Sequence, residues 1–176
     1  TQGCSEPTTA FRLDTPACES LSEQIERGFN SGFSEGITFE ELAASPVLDE
    51  CGTLVRTTAA SYLVQGAVNA RHKVVVRDHI QVLRAGLDDP DYRVVFRALN
   101  GLSMLDEETD VPAIVKLAKN RPKVQRAALS ALSAMCNPLA DEALTQLELI
   151  SEGIKTTIKE MRQSSVPVIQ SRCVSS

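Results

Sequence analysis

Apolar residues recur along this chain at three- and four-residue steps, the spacing that returns side chains to one face of a helix. Leu21, Ile25 and Phe29 step by four and place a helix from Thr15-Pro16-Ala17-Cys18 to about Asn30. Asn30 to Gly36 reads as a loop. Thr38-Phe39-Glu40-Glu41 has the form of a capping box and opens a short helix through Ala44. Ser45-Pro46 breaks it, and the next helix runs from Val47 or soon after to about Ala70. Asp78 to Gly86 carries Ile80, Val82 and Leu83 on its apolar side, with Leu87 just beyond, and Gly86 is its stop. Asp110 to Ala118 is another short helix, with Val111, Ile114, Val115 and Leu117 apolar and Pro112 in its first turn. Pro138 then starts one long helix, from Leu139 to about Arg162. Leu144, Leu147, Ile154, Ile158 and Met161 line it, and Gly153 marks a bend. Ser164 to Ser176 reads as an extended tail, in which Val166-Pro167-Val168-Ile169 is apolar.

Between these elements one pattern repeats. Val94, Ala98, Leu99, Gly101 and Leu102 return thirty residues later as Val124, Ala128, Leu129, Ala131 and Leu132. Thirty-nine residues earlier stand Val55, Ala59, Ala60, Tyr62 and Leu63. The rule is Val, small at +4, apolar at +5, small or aromatic at +7 and Leu at +8. Positions +4, +7 and +8 share a helix face with the Val, and small residues there let two helices approach closely. One such helix cannot bury its stripe alone, whereas stacked neighbours can.

These residues resemble HEAT repeats, the helical hairpins of α-solenoids. Leu87-Asp88-Asp89-Pro90-Asp91-Tyr92-Arg93-Val94 is similar to the family's turn, with its Asp and Pro before the second helix. Val55-Arg56, Ala59-Ala60 and Leu63 are similar to its Val-Arg, Ala-Ala, Leu series. The resemblance covers about residues 47 to 150. The family's Arg after Val is kept only as Arg56, with Val95 and Gln125 in the other two units, so the resemblance does not carry over an Asp–Arg ladder. It implies an all-α fold, a short right-handed α-solenoid of stacked hairpins whose second helices line the concave side, with the long C-terminal helix as a cap. It also implies a scaffold for proteins or peptides rather than a catalyst. The organisation expected is a single domain: an arm and its leading helices over 1–46, HEAT-like repeats over 47–137, the capping helix over 138–163 and the tail over 164–176.

Composition narrows the function. Of 176 residues, 43% are hydrophobic and 23% charged, the balance of a folded protein, and no apolar run is long enough to span a bilayer. A net charge of -5 and only 4% aromatics leave little for phosphate neutralisation or base stacking, so nucleic acid is not an expected partner. Charge is uneven: residues 1–70 hold three Lys/Arg against ten Asp/Glu, whereas residues 71–176 hold fifteen against thirteen. Five cysteines lack the spacing of a zinc or redox motif. Cys4, Cys18, Cys51 and Cys173 are disulfide candidates, with Cys4–Cys18 a staple for the arm. Cys136 reads as a buried small hydrophobe. One or two disulfides imply an exported protein, secreted or periplasmic; five reduced thiols in the cytoplasm are the alternative.

No residue set reads as catalytic or as a metal site, and no cofactor is expected. His72 and His79 are two helical turns apart without companion ligands. Asp88-Asp89-Asp91 lacks the Gly and closing Glu of a calcium loop and reads as capping. The repeat register places two rows on the concave side: Thr57, Phe96 and Arg126, then Ser61, Asn100 and Ser130. Tyr62, Phe96, Arg97, Asn100, Arg126 and Ser130 are the expected partner-binding residues. Lys116, Lys119, Arg121 and Lys123, continued by Arg126, form a basic edge suited to an acidic partner. The reading is a non-catalytic module that binds a protein or peptide through exposed helix faces. Two alternatives stand beside it: a carrier of lipid or a small apolar ligand, in a groove lined by Ile154, Ile158, Val166 and Ile169, and a homodimer through the C-terminal helix.

Overall fold

The computed structural model describes residues 15–68 and 77–164. Their regular structure is helical, without a strand among the described residues, and its α-helices follow in the order α1 Pro16–Asn30, α2 Phe39–Ala43, α3 Thr53–Val68, α4 Arg77–Gly86, α5 Tyr92–Leu105, α6 Val111–Asn120, α7 Pro122–Ala134, α8 Pro138–Ile150 and α9 Glu152–Ser164. They form two compact units, divided after Gly101 within α5.

In the first unit α3 is the central helix. It packs against α1, α2 and α4, and its residues from Thr57 to Gly66 are all buried. α1 starts where Thr15 Oγ1 accepts a hydrogen bond from Cys18 N–H at 3.3 Å and Pro16 fills the first turn. α2 starts on the capping box read from sequence. Glu41 N–H donates to Thr38 Oγ1 at 3.2 Å, and Thr38 N–H donates back to Glu41 Oε2 at 3.0 Å. The Thr38 N–H and, after it, the Thr38 hydroxyl, which donates to the same Oε2 at 2.9 Å, hold the Glu41 carboxyl below its ordinary pKa. Between α1 and α3 lies a core of Leu21, Ile25, Leu42, Val55 and Leu63, joined by a cluster of Phe29, Phe33, Phe39 and Tyr62 rings.

α4 and α5 make the hairpin that the repeat pattern predicts. Gly86 faces Ala98, Val94 and Thr57, and Gly101 faces Leu83 and the backbone of Ser61. A β-carbon at Gly101 would force the Leu83 methyls, 2.6 and 3.1 Å away, to shift, and one at Gly86 would sit tightly, 3.1–3.4 Å from Ala98, Thr57 and Val94. Asp91 starts α5: its Oδ1 accepts from Arg93 N–H at 2.9 Å, and its carboxylate holds the Arg93 guanidinium at 2.7 Å. The Arg93 hydrogen bond, above all, keeps the Asp91 carboxyl below the usual carboxylate range. Its acidic turn is therefore satisfied by capping.

In the second unit α6 packs on α7, and α9 packs on α7 and α8. Asp106 closes α5 with a positive φ of 59° and turns its Oδ1 to Cys136 N–H and Asn137 Nδ2, at 3.0 and 2.7 Å. Asn137 Oδ1 in turn caps α8 by accepting from Ala140 N–H at 2.8 Å.

Several expectations need correction. The helix expected from Leu139 to Arg162 is two, α8 and α9, meeting at Ser151 rather than bending at Gly153. Ser151 is extended (φ -151°, ψ 121°) and caps α9, its Oγ accepting from Ile154 N–H at 3.3 Å. Cys18 bonds to Cys51, not to Cys4, because α1 and the turn before α3 bring their Cα atoms to 5.6 Å. Cys136 is exposed rather than buried, since Met135 takes the buried place at the end of α7. Cys4, Cys173, His72 and the tail from 165 onward lie outside the described residues.

Candidate functional site

The repeat register is the frame for the candidate surface. Val55, Val94 and Val124 are all buried, as are Ala59, Ala98 and Ala128, and then Leu63, Leu102 and Leu132. The Val, the small residue at +4 and the Leu at +8 are thus buried in all three copies of the pattern.

The residues expected to face a partner do not behave alike. Tyr62 is 1% exposed. Its hydroxyl donates to Ile37 O at 2.9 Å inside the aromatic cluster, and burial pushes its pKa up. Tyr62 is a core residue and offers nothing to a partner. Thr57 and Ser61 are buried too, because α4 and α5 cover that side of α3. Ser61 Oγ accepts from Gln65 Nε2 at 3.1 Å, whereas Thr57 Oγ1 has no hydrogen-bond partner among the described residues. An unpaired buried hydroxyl costs stability, and Val has nearly the same shape. Thr57→Val is therefore expected to raise stability by about 1 kcal/mol, read as a higher urea midpoint.

On α5 the outer row is open. Tyr92, Phe96 and Asn100 follow at four-residue steps, opposite the buried Val94, Val95, Ala98 and Leu99. Tyr92 is 48% exposed and Phe96 39%, and their rings meet edge to face with centroids 5.4 Å apart. Arg97 is turned inward. It pairs with Glu26 on α1 and lies over the Phe29 ring, 5.4 Å from its centroid. Its first role is to tie α5 to α1. On α7 the outer row is also exposed, but Arg126 pairs loosely with Glu160 at 3.5 Å. Ser130 is exposed. Lys116, Lys119 and Lys123 are exposed and Arg121 is half-buried. Ile154 and Ile158, expected in an apolar groove, are buried where α9 packs. Val166 and Ile169 lie outside the described residues.

No group of three His, Cys, Asp or Glu among the described residues is placed to hold a metal. No described helix is long and apolar enough to cross a membrane. His79 is half-buried on α4, and loss of solvent pushes its imidazole below the ordinary pKa, against the opposing charge of Asp78. The folded chain thus binds fewer protons there than the unfolded chain. This contribution to stability is present above about pH 6.5 and is lost as pH falls through the lower folded value. Acidification should therefore destabilise the native protein more than a His79→Gln variant; equal losses in urea melts would contradict this.

With this geometry in view, comparison with known families is decisive for residues 48–133, which match a family model described as HEAT repeats. This stretch is a HEAT-like helical repeat. The match begins at the turn before α3 and ends in the last turn of α7, so it takes in the α4–α5 and α6–α7 hairpins. HEAT repeats are commonly protein-interaction modules and typically non-catalytic scaffolds. No curated protein and no solved structure matches the chain.

The exposed partner of Phe96 was not among the expected site residues. Tyr92 stands four residues before Phe96, and that helical step was the signal for it.

Proposed function

We propose that this chain is a non-catalytic interaction module that recognises a protein or peptide through the outer face of α5. The observation that carries the reading is the Tyr92–Phe96 pair. Four of the chain's aromatic rings, Phe29, Phe33, Phe39 and Tyr62, are gathered in the core, while these two stand together in solvent on a helix with its inner face filled. Rigid, partly exposed aromatics at the centre of a patch supply much of the binding energy at protein interfaces. Asn100 extends the row as a polar contact. The partner then sits on a HEAT-like repeat, a scaffold whose family role is to bind proteins.

Export is part of the proposal. A disulfide in the buried core is stable in oxidising compartments and rare in a reducing cytosol, and the Cys18–Cys51 bond supports a secreted or periplasmic location.

The test is site-specific photo-crosslinking in the native extract, with the reactive group placed at Phe96 and, as a control, at Leu149. The expected result is one protein captured at Phe96, absent from the control, and lost when Tyr92→Ser is added. Equal capture at both positions, or capture indifferent to Tyr92, would sink the α5 reading. The substituted chains should melt like the parent, because Tyr92, Phe96 and Leu149 are all exposed side chains outside the core.

A further inference from the structure

Two faces of this molecule carry opposite charge patterns that the described residues leave unneutralised. The first is a cleft of about 930 Å³ beside α1, lined by Glu19, Ser22, Glu23, Glu26, Asn30 and Glu35 among others, with Arg27 as the cation in its lining. Glu26 is engaged with Arg97, whereas Glu19, Glu23 and Glu35 are exposed and form no ion pair among the described residues. The second is the α6–α7 edge. Lys116, Lys119 and Lys123 are exposed there and form no ion pair among the described residues either.

Both patterns are unfavourable where they stand. Glu19 and Glu23 are one turn apart on α1, and Lys116 and Lys119 one turn apart on α6. Like charges at that spacing repel, their β-carbons being about 5–6 Å apart. The same spacing makes the faces complementary to each other. A Glu pair one turn apart on one helix can oppose a Lys pair one turn apart on another.

We propose that copies of this chain associate through unlike faces, the basic α6–α7 edge of one seating against the acidic α1 cleft of another. The interface joins unlike faces, one from each copy, and association grows with concentration. The attraction is between exposed charges. It acts over about 10 Å at 0.1 M salt and about 3 Å at 1 M. The net charge of -5 on each chain opposes association in general, which leaves the matched faces as the favoured approach. This inference uses neither Tyr92 nor Phe96, so it can fail while the α5 reading stands.

Sedimentation of the intact chain decides it. At about 0.1 M salt the mean mass should rise with protein concentration, and at about 1 M it should fall to that of one chain. Glu19→Gln with Glu23→Gln should weaken association about tenfold, as should Lys116→Gln with Lys119→Gln. These are surface changes, and unchanged circular dichroism and melting would show that both variants fold. Mixing the two variants restores one intact interface, between the unchanged cleft of one and the unchanged edge of the other, so the mixture should associate more than either variant alone. A single-chain mass at every concentration in low salt would overturn the proposal. So would association that ignores both double variants. A monomeric chain whose cleft binds a Lys-rich peptide would also overturn it, in favour of a foreign basic partner.

Discussion

Replacing both Cys18 and Cys51 by Ala should lower the unfolding free energy by about 4 kcal/mol, much of the stability of a small unit. The bond closes a loop with a sequence separation of 33, and cross-linking a loop of that length removes unfolded-state entropy worth about 4 kcal/mol. The loop holds α1, α2 and the turn before α3, so without the bond these elements are secured by the aromatic cluster and the Leu21–Ile25–Leu42 core alone. Both cysteines are buried within that core, so Ala also leaves small gaps. Urea unfolding of the double variant beside the parent measures the loss. A loss below about 1 kcal/mol would mean that the bond constrains nothing the fold depends on.

The second large effect is expected at Gly36. Its φ is +84°, in the left-handed region, and a β-carbon there would be driven into the backbone of α1, against Gln24 O and Gly28 N. Backbone cannot turn aside as a side chain can. The left-handed conformation costs Ala about 1–2 kcal/mol and the clash about 1–3 more, so Gly36→Ala should cost about 4 kcal/mol. Gly32 is the internal control. It also has a positive φ, +62°, but a β-carbon there meets nothing within 4 Å. Gly32→Ala should therefore cost about 1 kcal/mol, the conformational part alone. Equal losses at the two positions in thermal melts would show that the loop from 31 to 37 does not press on α1.

Both sites belong to a part of the chain that was only partly legible in its residues. The helix expected from Thr15 to Asn30 forms over Pro16–Asn30, and the Thr38–Glu41 capping box is present in both directions. Both are local: a cap and an apolar period need only neighbours in sequence. The repeat register was legible for the same reason. It put Val55, Val94 and Val124 in one class, and all three are buried.

What the residues concealed depends on distant chain. Tyr62 sits at a repeat position that holds Gly101 and Ala131 elsewhere, and nothing local says whether an aromatic there turns outward. Phe29, Phe33 and Phe39 decide it, by building a pocket around the ring. The Cys18–Cys51 pairing follows from α1 returning to the start of α3, which spacing does not encode. The break at Ser151 did leave a local mark. Ser151 followed by Glu152 is a helix-start signal, but the apolar steps of α8 and α9 run on through it and mask it. The cost of the break is visible in Leu149, which is 82% exposed at the corner.

Small residues let α4 and α5 approach closely, Gly86 lying against Ala98 and Val94 and Gly101 against Leu83. Nuclear Overhauser contacts in solution test this approach directly. Strong contacts are expected from the Leu83 methyls to the Gly101 α-protons, and from the Val94 methyls to the Gly86 α-protons. Absence of both in a folded sample, with the Leu83 methyls in contact with other residues instead, would contradict it.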